Sequence, residues 1–427
     1  MKKIIILLLV IAAVLALSPF FIGSQAESKV REMYTKANEY PNINFEITEY
    51  NQSWFSSDVK IKLLLDVAGA PTSDTDSLII TQKMQHGPLL WKSGDFGFGL
   101  ADIQYGIELP KEIKQEMDKM DGLKSDSIAV VSRLAFDGSS TSSISISPFT
   151  LNKNNNQVIV KQGQFDATVN MSGQILLGGD WQGMQVKEED RTIFDLAILS
   201  INADQSLIDG EMFTQTALFE GDFSIGIDSL DINGYSPADT FKINGISLQS
   251  ATKFTQDLGN ISFVLGAKKI SAIGQEFDDL TYDLSLQNIN KQTVLAMNNL
   301  MMENGDPDAM LEAYQELLPE LFKRDPSLKL NKLGVKTSVG EINTNALIKV
   351  NGEMYDPANL MSLVAAIDAT ANGYAPASFF DNFGMGSDIE MMVQQNMLVR
   401  ENDQVKFDVS FQKGELLLNG APMPMGF

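Results

Sequence analysis

His86 is the single imidazole in 427 residues, and cysteine is absent. Those two counts decide most of the chemistry open to the chain. Thiolate nucleophiles, cysteine-held zinc and iron–sulfur clusters have no ligand to start from. Histidine-held zinc needs two or three imidazoles, and a serine, histidine, aspartate triad would have to be built on His86 alone. No phosphate-cradling Gly-x-x-x-x-Gly-Lys loop, Gly-x-Ser-x-Gly elbow or His-Glu-x-x-His helix is present. Asp95-Phe96-Gly97 spells a kinase tripeptide without the lysine or loops that would give it a role. Ser250-Ala251-Thr252-Lys253 has Ser-x-x-Lys spacing without the companion Ser-Asp-Asn and Lys-Thr-Gly. Asp228, Asp231 and Asn233-Gly234 hint at a calcium loop, but the spacing is not that of an EF-hand and no glutamate closes it. With 55 acidic side chains, two carboxylates will stand at a hydrolase-like separation somewhere, so that signal carries little weight. The expectation is a protein that is not an enzyme and takes no cofactor or metal.

What remains are residues suited to contact. Tyr50, Trp54 and Phe55 form an aromatic cluster that runs into an alternating stretch starting at Val59, and His86-Gly87-Pro88 makes a sharp turn after the next strand. Such aromatics plug the open end of a sheet or, near a bilayer, form a contact surface at its interface. Twelve of the twenty methionines lie from Met297 onward, among them Met297, Met301 and Met392. Thioethers fill irregular cores and also line apolar surfaces that accept varied partners. The candidate interaction residues are therefore Tyr50, Trp54, Phe55, His86, Met297, Met301 and Met392.

The elements that must position them are mostly strands. Apolar and polar residues alternate along Val59–Val67, Leu280–Leu286 and Val405–Phe411, each describing a strand with one buried and one wet face. Asp137-Gly138, Asp209-Gly210, Asn233-Gly234, Asn244-Gly245, Asn351-Gly352 and Asn419-Gly420 are turn dipeptides of tight hairpins. A phase slip between Ile227 and Leu230 predicts a bulge that bends the sheet. Helices are few: Lys29–Asn38, one opened by Asp306-Pro307 and interrupted at Pro319, one opened by Asp356-Pro357, and one with a capping box of Ser387 and Glu390. The fold expected is mainly β within an α+β class, a long curved antiparallel sheet or β-meander with a few C-terminal helices, behind an N-terminal transmembrane helix.

That helix is read from Met1-Lys2-Lys3 and the uncharged apolar run Ile4–Gly23. Two readings compete. Ser24-Gln25-Ala26 has the small residues of a cleavage site, and Ser18-Pro19 would leave a shorter run typical of a signal peptide. At ~1.5 Å per residue the full run reaches roughly 30 Å, a bilayer core, which favours a retained anchor. The organisation expected is 1–26 as signal anchor or signal peptide and 27–427 as a β-rich region in the periplasm, with 27–150, 151–290 and 291–427 as subregions. A formal charge of −23, with no Lys/Arg-rich run, leaves no footprint for phosphate backbones, so nucleic acid is excluded as a partner.

Tyr50-Asn51-Gln52-Ser53-Trp54-Phe55-Ser56-Ser57, His86-Gly87-Pro88, Gly23-x-x-x-Glu27 behind the apolar run and Gly414-Glu415-Leu416-Leu417-Leu418-Asn419-Gly420 stand in one order along the chain. Together they resemble the YdgA-like family of bacterial envelope proteins. The chain departs from the family pattern at Ser53, where glycine is usual, and its middle, from about Leu151 to Asn290, matches only in the style of its strands. The resemblance implies a single-pass protein of the Gram-negative inner membrane, held there through residues 4–23 with its bulk in the periplasm, a domain of unknown function without established activity. Three functional expectations follow. The first is binding of an apolar client, a lipid or an envelope protein; the second is a scaffold that self-associates as a homo-oligomer or joins a membrane complex. A periplasmic hydrolase using carboxylates is the third and weakest, because acid–base chemistry leans on histidine.

Overall fold

The computed structural model describes residues 2–38, 43–65, 78–91, 96–108, 127–153, 155–212, 214, 216–302, 316–356, 358–359 and 361–423; the side chains of residues 2–17 and of a few others lie outside that description. The chain is mainly β and antiparallel, with few helices. It divides into two compact units, one comprising Met1–Arg191, Ser200–Phe219 and Met302–Asn304, the other Thr192–Leu199, Glu220–Met301 and Gly305–Phe427. The expected breaks at 150 and 290 are not unit boundaries. Strand pairing runs across both, since Ile144 stands opposite Phe165 and Leu284 opposite Leu330.

The first unit opens with helix α1 (Lys2–Ala37), which carries the apolar run and continues without a break through Pro19 into the segment expected to be helical from Lys29. Among the described residues no helix is long and apolar enough to cross a membrane. Because the side chains of residues 2–17 are not among those described, the expected transmembrane span gains no support from the structure. After α1 come β1 (Ile43–Gln52), β2 (Ser56–Leu65), β3 (Leu78–His86), the short pair β4 (Leu89–Leu90) and β5 (Gly97–Phe98), then β6 (Ala101–Glu108), β7 (Ile128–Leu134) and β8 (Ser140–Ile146). Each of β1, β2, β3, β6, β7 and β8 pairs antiparallel with the next in that series. The series continues through β11 (Gly163–Val169) and β12 (Gln174–Trp181), while β9 (Phe149–Lys153), β10 (Asn156–Val160) and β13 (Met184–Glu188) pair among themselves. β14 (Arg191–Leu196) follows, all but Arg191 in the second unit, and then β15 (Leu199–Asp209), all but Leu199 in the first.

The second unit is built on four long strands, β16 (Leu218–Ile232), β17 (Phe241–Thr255), β18 (Leu258–Ala272) and β19 (Gln275–Asn290). They pair in sequence and continue through β20 (Ser327–Thr337), β21 (Gly340–Val350), β22 (Ile367–Pro376) and β24 (Gln404–Gln412), with β23 (Val399–Glu401), β25 (Glu415–Leu418) and β26 (Ala421–Met423) at the end of the series. The predicted bulge does not form: Ile227 stands opposite Ile246 and Ser229 opposite Asn244, one residue for one, while Asp228 turns its N–H to the Ile198 carbonyl between β14 and β15, and Gly245 takes φ +63° inside β17 instead of closing a hairpin. Asn419 and Gly420, at +52° and +77°, do close the expected hairpin, joining β25 to β26. Gly234 and Gly352 are not in the left-handed region.

The helices described in this unit include α2 (Lys291–Met302), α3 (Met361–Ala366), α4 (Ala377–Asn382) and α5 (Gly386–Gln394). The helix start expected at Asp306-Pro307 lies outside the described residues, although residues 316–322 are helical through Pro319. Asp356 caps a preceding turn, its carboxylate accepting from Ala358 N, and Asn359 accepts from Met361 N where α3 begins. The capping box at Ser387 and Glu390 does not form. Met385 holds the cap position without a side-chain bond, and Glu390 pairs instead with Arg400, whose guanidinium offers a charged partner that a backbone N–H cannot match.

Candidate functional site

In the first unit the motif residues converge where α1 crosses the sheet. Pro19, Gly23, Ala26, Val30 and Tyr34 recur at helical spacing and are buried on one face of α1, the pattern of a helix packed along a stripe. Val30 and Tyr34 share a core with Val59, Ile61 and Met84. On β3 the period-two series Ile80, Gln82, Met84 and His86 turns toward this core, so two polar side chains are carried inside with two apolar ones. Gln82 Nε2 donates to the Tyr34 hydroxyl at 2.7 Å. Beyond the helix, Asn38 mimics a strand neighbour: its amide donates to the Phe45 carbonyl at 2.9 Å and its Oδ1 accepts from Phe45 N at 2.6 Å.

Gly23 and His86 form the tightest point. A methyl group on Gly23 would stand 2.4 Å from His86 Cε1 and 2.7 Å from Gln52 Nε2, so α1 can lie this close only without a side chain there. Ser57 Oγ is 2.9 Å from His86 Nε2, and His86 N donates to the Phe55 carbonyl at 2.8 Å. Burial pushes the His86 pKa below its ordinary 6.5; the carbonyls of Pro19 and Trp54 favour the charged ring but pull less strongly, and Nδ1 makes no hydrogen bond of good geometry. Tyr50 is half-buried beneath the Arg31 guanidinium, whose carbon lies 5.7 Å from the ring centre, and burial raises its pKa. Arg31 is held in turn by two bonds to Glu27, the acid of the Gly23-x-x-x-Glu27 motif.

A serine beside a histidine invites a nucleophilic reading, and the geometry argues against it. Ser57 and His86 are 1% and 2% exposed beneath α1. Asp102, a buried carboxylate, accepts from Arg133 at 2.7 and 3.0 Å, and the bond given to the imidazole ring is to Ser57. Of the residues singled out in the sequence, Tyr50 and His86 are therefore inside. Trp54 and Phe55 are outside, and do not plug the sheet end. Sequence reasoning missed Gln82, Asp102, Arg133 and Gly99. The signal for Gln82 was its in-phase position between Ile80 and Met84.

In the second unit the alternation produces one apolar face whose side chains are only partly buried. Ile225, Leu248, Leu265, Tyr282 and Leu333 stand directly opposite one another from β16 to β20. A parallel row runs Phe263, Leu284, Leu330, Ala346, Ala371 and Val409 from β18 to β24. None of these eleven is buried. Ser262, Ser285 and Lys329 mark the polar reverse side. The buried apolar residues of this unit sit mostly away from those rows, as in the cluster of Ala375, Ala377, Ile389 and Val405 beneath α4 and α5. Met392 is exposed on α5, with Met385, Met391 and Phe383 exposed around it, and Met297 is half-buried on α2. The Met301 side chain lies outside the described residues. Strand directions put α2, after β19, and α5, after β22, at opposite ends of the series, so the methionines do not form one patch. No group of three or more metal-ligating side chains occurs among the described residues; Asp231, of the calcium-like spacing, bonds Lys242 at 2.8 Å.

Comparison with known proteins supports the resemblance. No solved structure matches the chain. It is 24% identical over 358 residues to Protein YdgA of Escherichia coli (strain K12), an alignment that covers 76% of this chain and 70% of that relative. The model of the family described as bacterial protein of unknown function, DUF945, matches residues 1–426, and the chain belongs to that family.

Proposed function

We propose that this is a membrane-anchored protein facing the periplasm, whose second unit binds an apolar client, a lipid acyl chain, without catalysing a reaction. The observation that carries the reading is the pair of apolar rows from β16 to β24, eleven side chains in register and none buried. Contiguous apolar side chains that the fold leaves only partly buried, with Leu333 exposed among them, are the kind of patch that marks a binding surface. A sheet face offers side chains and no free backbone groups, which suits a hydrocarbon chain with nothing to hydrogen-bond. The anchor reading rests on Lys2-Lys3 before the apolar run Ile4–Gly23 and on a helix that carries that run directly into the first unit. The non-catalytic reading rests on the sealing of Ser57 and His86.

Native mass spectrometry of the full chain, extracted gently from its own membrane, tests this. Adducts of phospholipid mass on a monomer are the expected result. Dimers or higher oligomers without lipid would instead favour the scaffold reading, in which a second copy covers the same face.

A further inference from the structure

The end of the first unit where α1 crosses the sheet carries a ring of exposed aromatic side chains. Phe21 is on α1, Trp54 and Phe55 on the turn between β1 and β2, Trp91 just after β4, and Phe96 and Phe98 at β5. Each is at least 46% exposed. They are neighbours by the bonds of their own backbones. His86 N donates to the Phe55 carbonyl, Trp91 N reaches Gln85 Oε1 at 3.4 Å, Phe98 stands opposite Leu89 just past Pro88, and the Pro19 carbonyl, two residues before Phe21, lies against the His86 ring.

The ring is held firmly. A methyl on Gly87 would be 1.7 Å from the Gly99 carbonyl, and one on Gly97 would be 2.1 Å from Arg133 Nη1, so the segment carrying Phe96 and Phe98 is seated on the β3 turn and on the Asp102–Arg133 pair. Large aromatics displayed on a rigid support are an interaction surface, and the partner has to be chosen by chemistry. The chain bears −23 formal charges, so an anionic surface would repel it. Tryptophan and phenylalanine partition to the boundary between headgroups and acyl chains without needing opposite charge. The helix that emerges among them carries the apolar run.

We infer that Phe21, Trp54, Phe55, Trp91, Phe96 and Phe98 form an interfacial collar that seats the first unit in the headgroup region of a zwitterionic phospholipid bilayer. The inference rests on the anchor reading above. On it, α1 leaves the bilayer near Pro19, and Gly23 locks it to His86, so that the first unit is fixed at the membrane instead of swinging from a tether.

Three variants of the full chain, each keeping one of Trp54, Trp91 and Trp181 and carrying phenylalanine at the other two, are reconstituted in phosphatidylcholine vesicles containing lipid brominated high on the acyl chains. Trp181 is the internal control, half-buried on β12 with its indole N–H bonded to the Lys161 carbonyl. The collar predicts that Trp54 and Trp91 lose most of their emission, that Trp181 keeps its own, and that added salt changes neither. If protein resisting alkaline wash shows no quenching at Trp54 and Trp91, the collar is wrong and the anchor stands. Protein that washes off the vesicles overturns both.

Discussion

His86 holds the account together at the scale of the single residue. It is the only histidine in the sequence, and it is spent on structure: one ring nitrogen shared with Ser57, the ring against Gly23, the backbone bonded to Phe55. Its protonation is therefore coupled to the docking of α1. The folded pKa is depressed and the unfolded value is near 6.5, so the folded state holds the ring neutral. Stability is complete above about 6.5 and is lost as pH falls from there toward the folded value, at no more than about 1.4 kcal/mol per pH unit for one group. Urea midpoints measured from about pH 8 to pH 5 should fall across that window in the native chain, beyond the decline from its carboxylates. His86→Asn should remove that part of the fall; an unchanged profile would separate the residue from the acid response. The paired contact of Arg133 with Asp102 makes a different use of charge. It fixes the support beneath Phe96 and Phe98, with Asp102 wholly buried and Arg133 reaching solvent.

Between elements the decisive contact is α1 on β1, β2, β3 and β6. Its stripe of Gly23, Ala26, Val30 and Tyr34 could be read from spacing alone, and so could the strands of the second unit, because a period of two with one polar face leaves little choice of element. Gly23→Val tests the docking: three carbon atoms must enter a space in which the first already meets the imidazole, and overpacking of this kind costs about 1–3 kcal/mol. Denaturant titration should show that loss, with Gly23→Ala in between; a neutral Gly23→Val would mean that α1 is not seated as described. Other features could not be read locally. Ser387 and Glu390 have capping-box spacing, yet an arginine ten residues further along takes the glutamate. Asn244-Gly245 has the turn composition of a hairpin but sits mid-strand, inside a β17 that is paired on both sides by β16 and β18. Trp54 and Phe55 have a composition suited equally to a plug and to a rim. In the fold Pro19 and Gly23 are buried beside His86, and Trp54 and Phe55 stand outside. The lesson is physical. Periodicity reports which face a residue shares, while the partner of that face is set by contacts distant in sequence.

Across the whole chain, the sequence reading of a β-rich protein of the YdgA-like family is confirmed, and the chain divides into two compact units. The first spends its histidine, its glycines and its buried polar residues on fixing a helix. The second has few buried apolar residues along its long strands and displays the rest on one face. On the function proposed above, the first unit would carry the anchor and the second the surface for the client. The affinity of the delipidated full chain for a fluorescent fatty acid, compared with that of Leu284→Asp, tests the claim most directly. Leu284 is in the second apolar row, between Phe263 and Leu330, and is only partly buried, so the aspartate can be tolerated in the free protein. A charge in place of a leucine that contacts the ligand forfeits about 1.5–3 kcal/mol of burial, which is about tenfold or more in dissociation constant. The account predicts saturable binding weakened by that factor, with unchanged circular dichroism. No binding by the native chain, or equal binding by the two proteins, would contradict it.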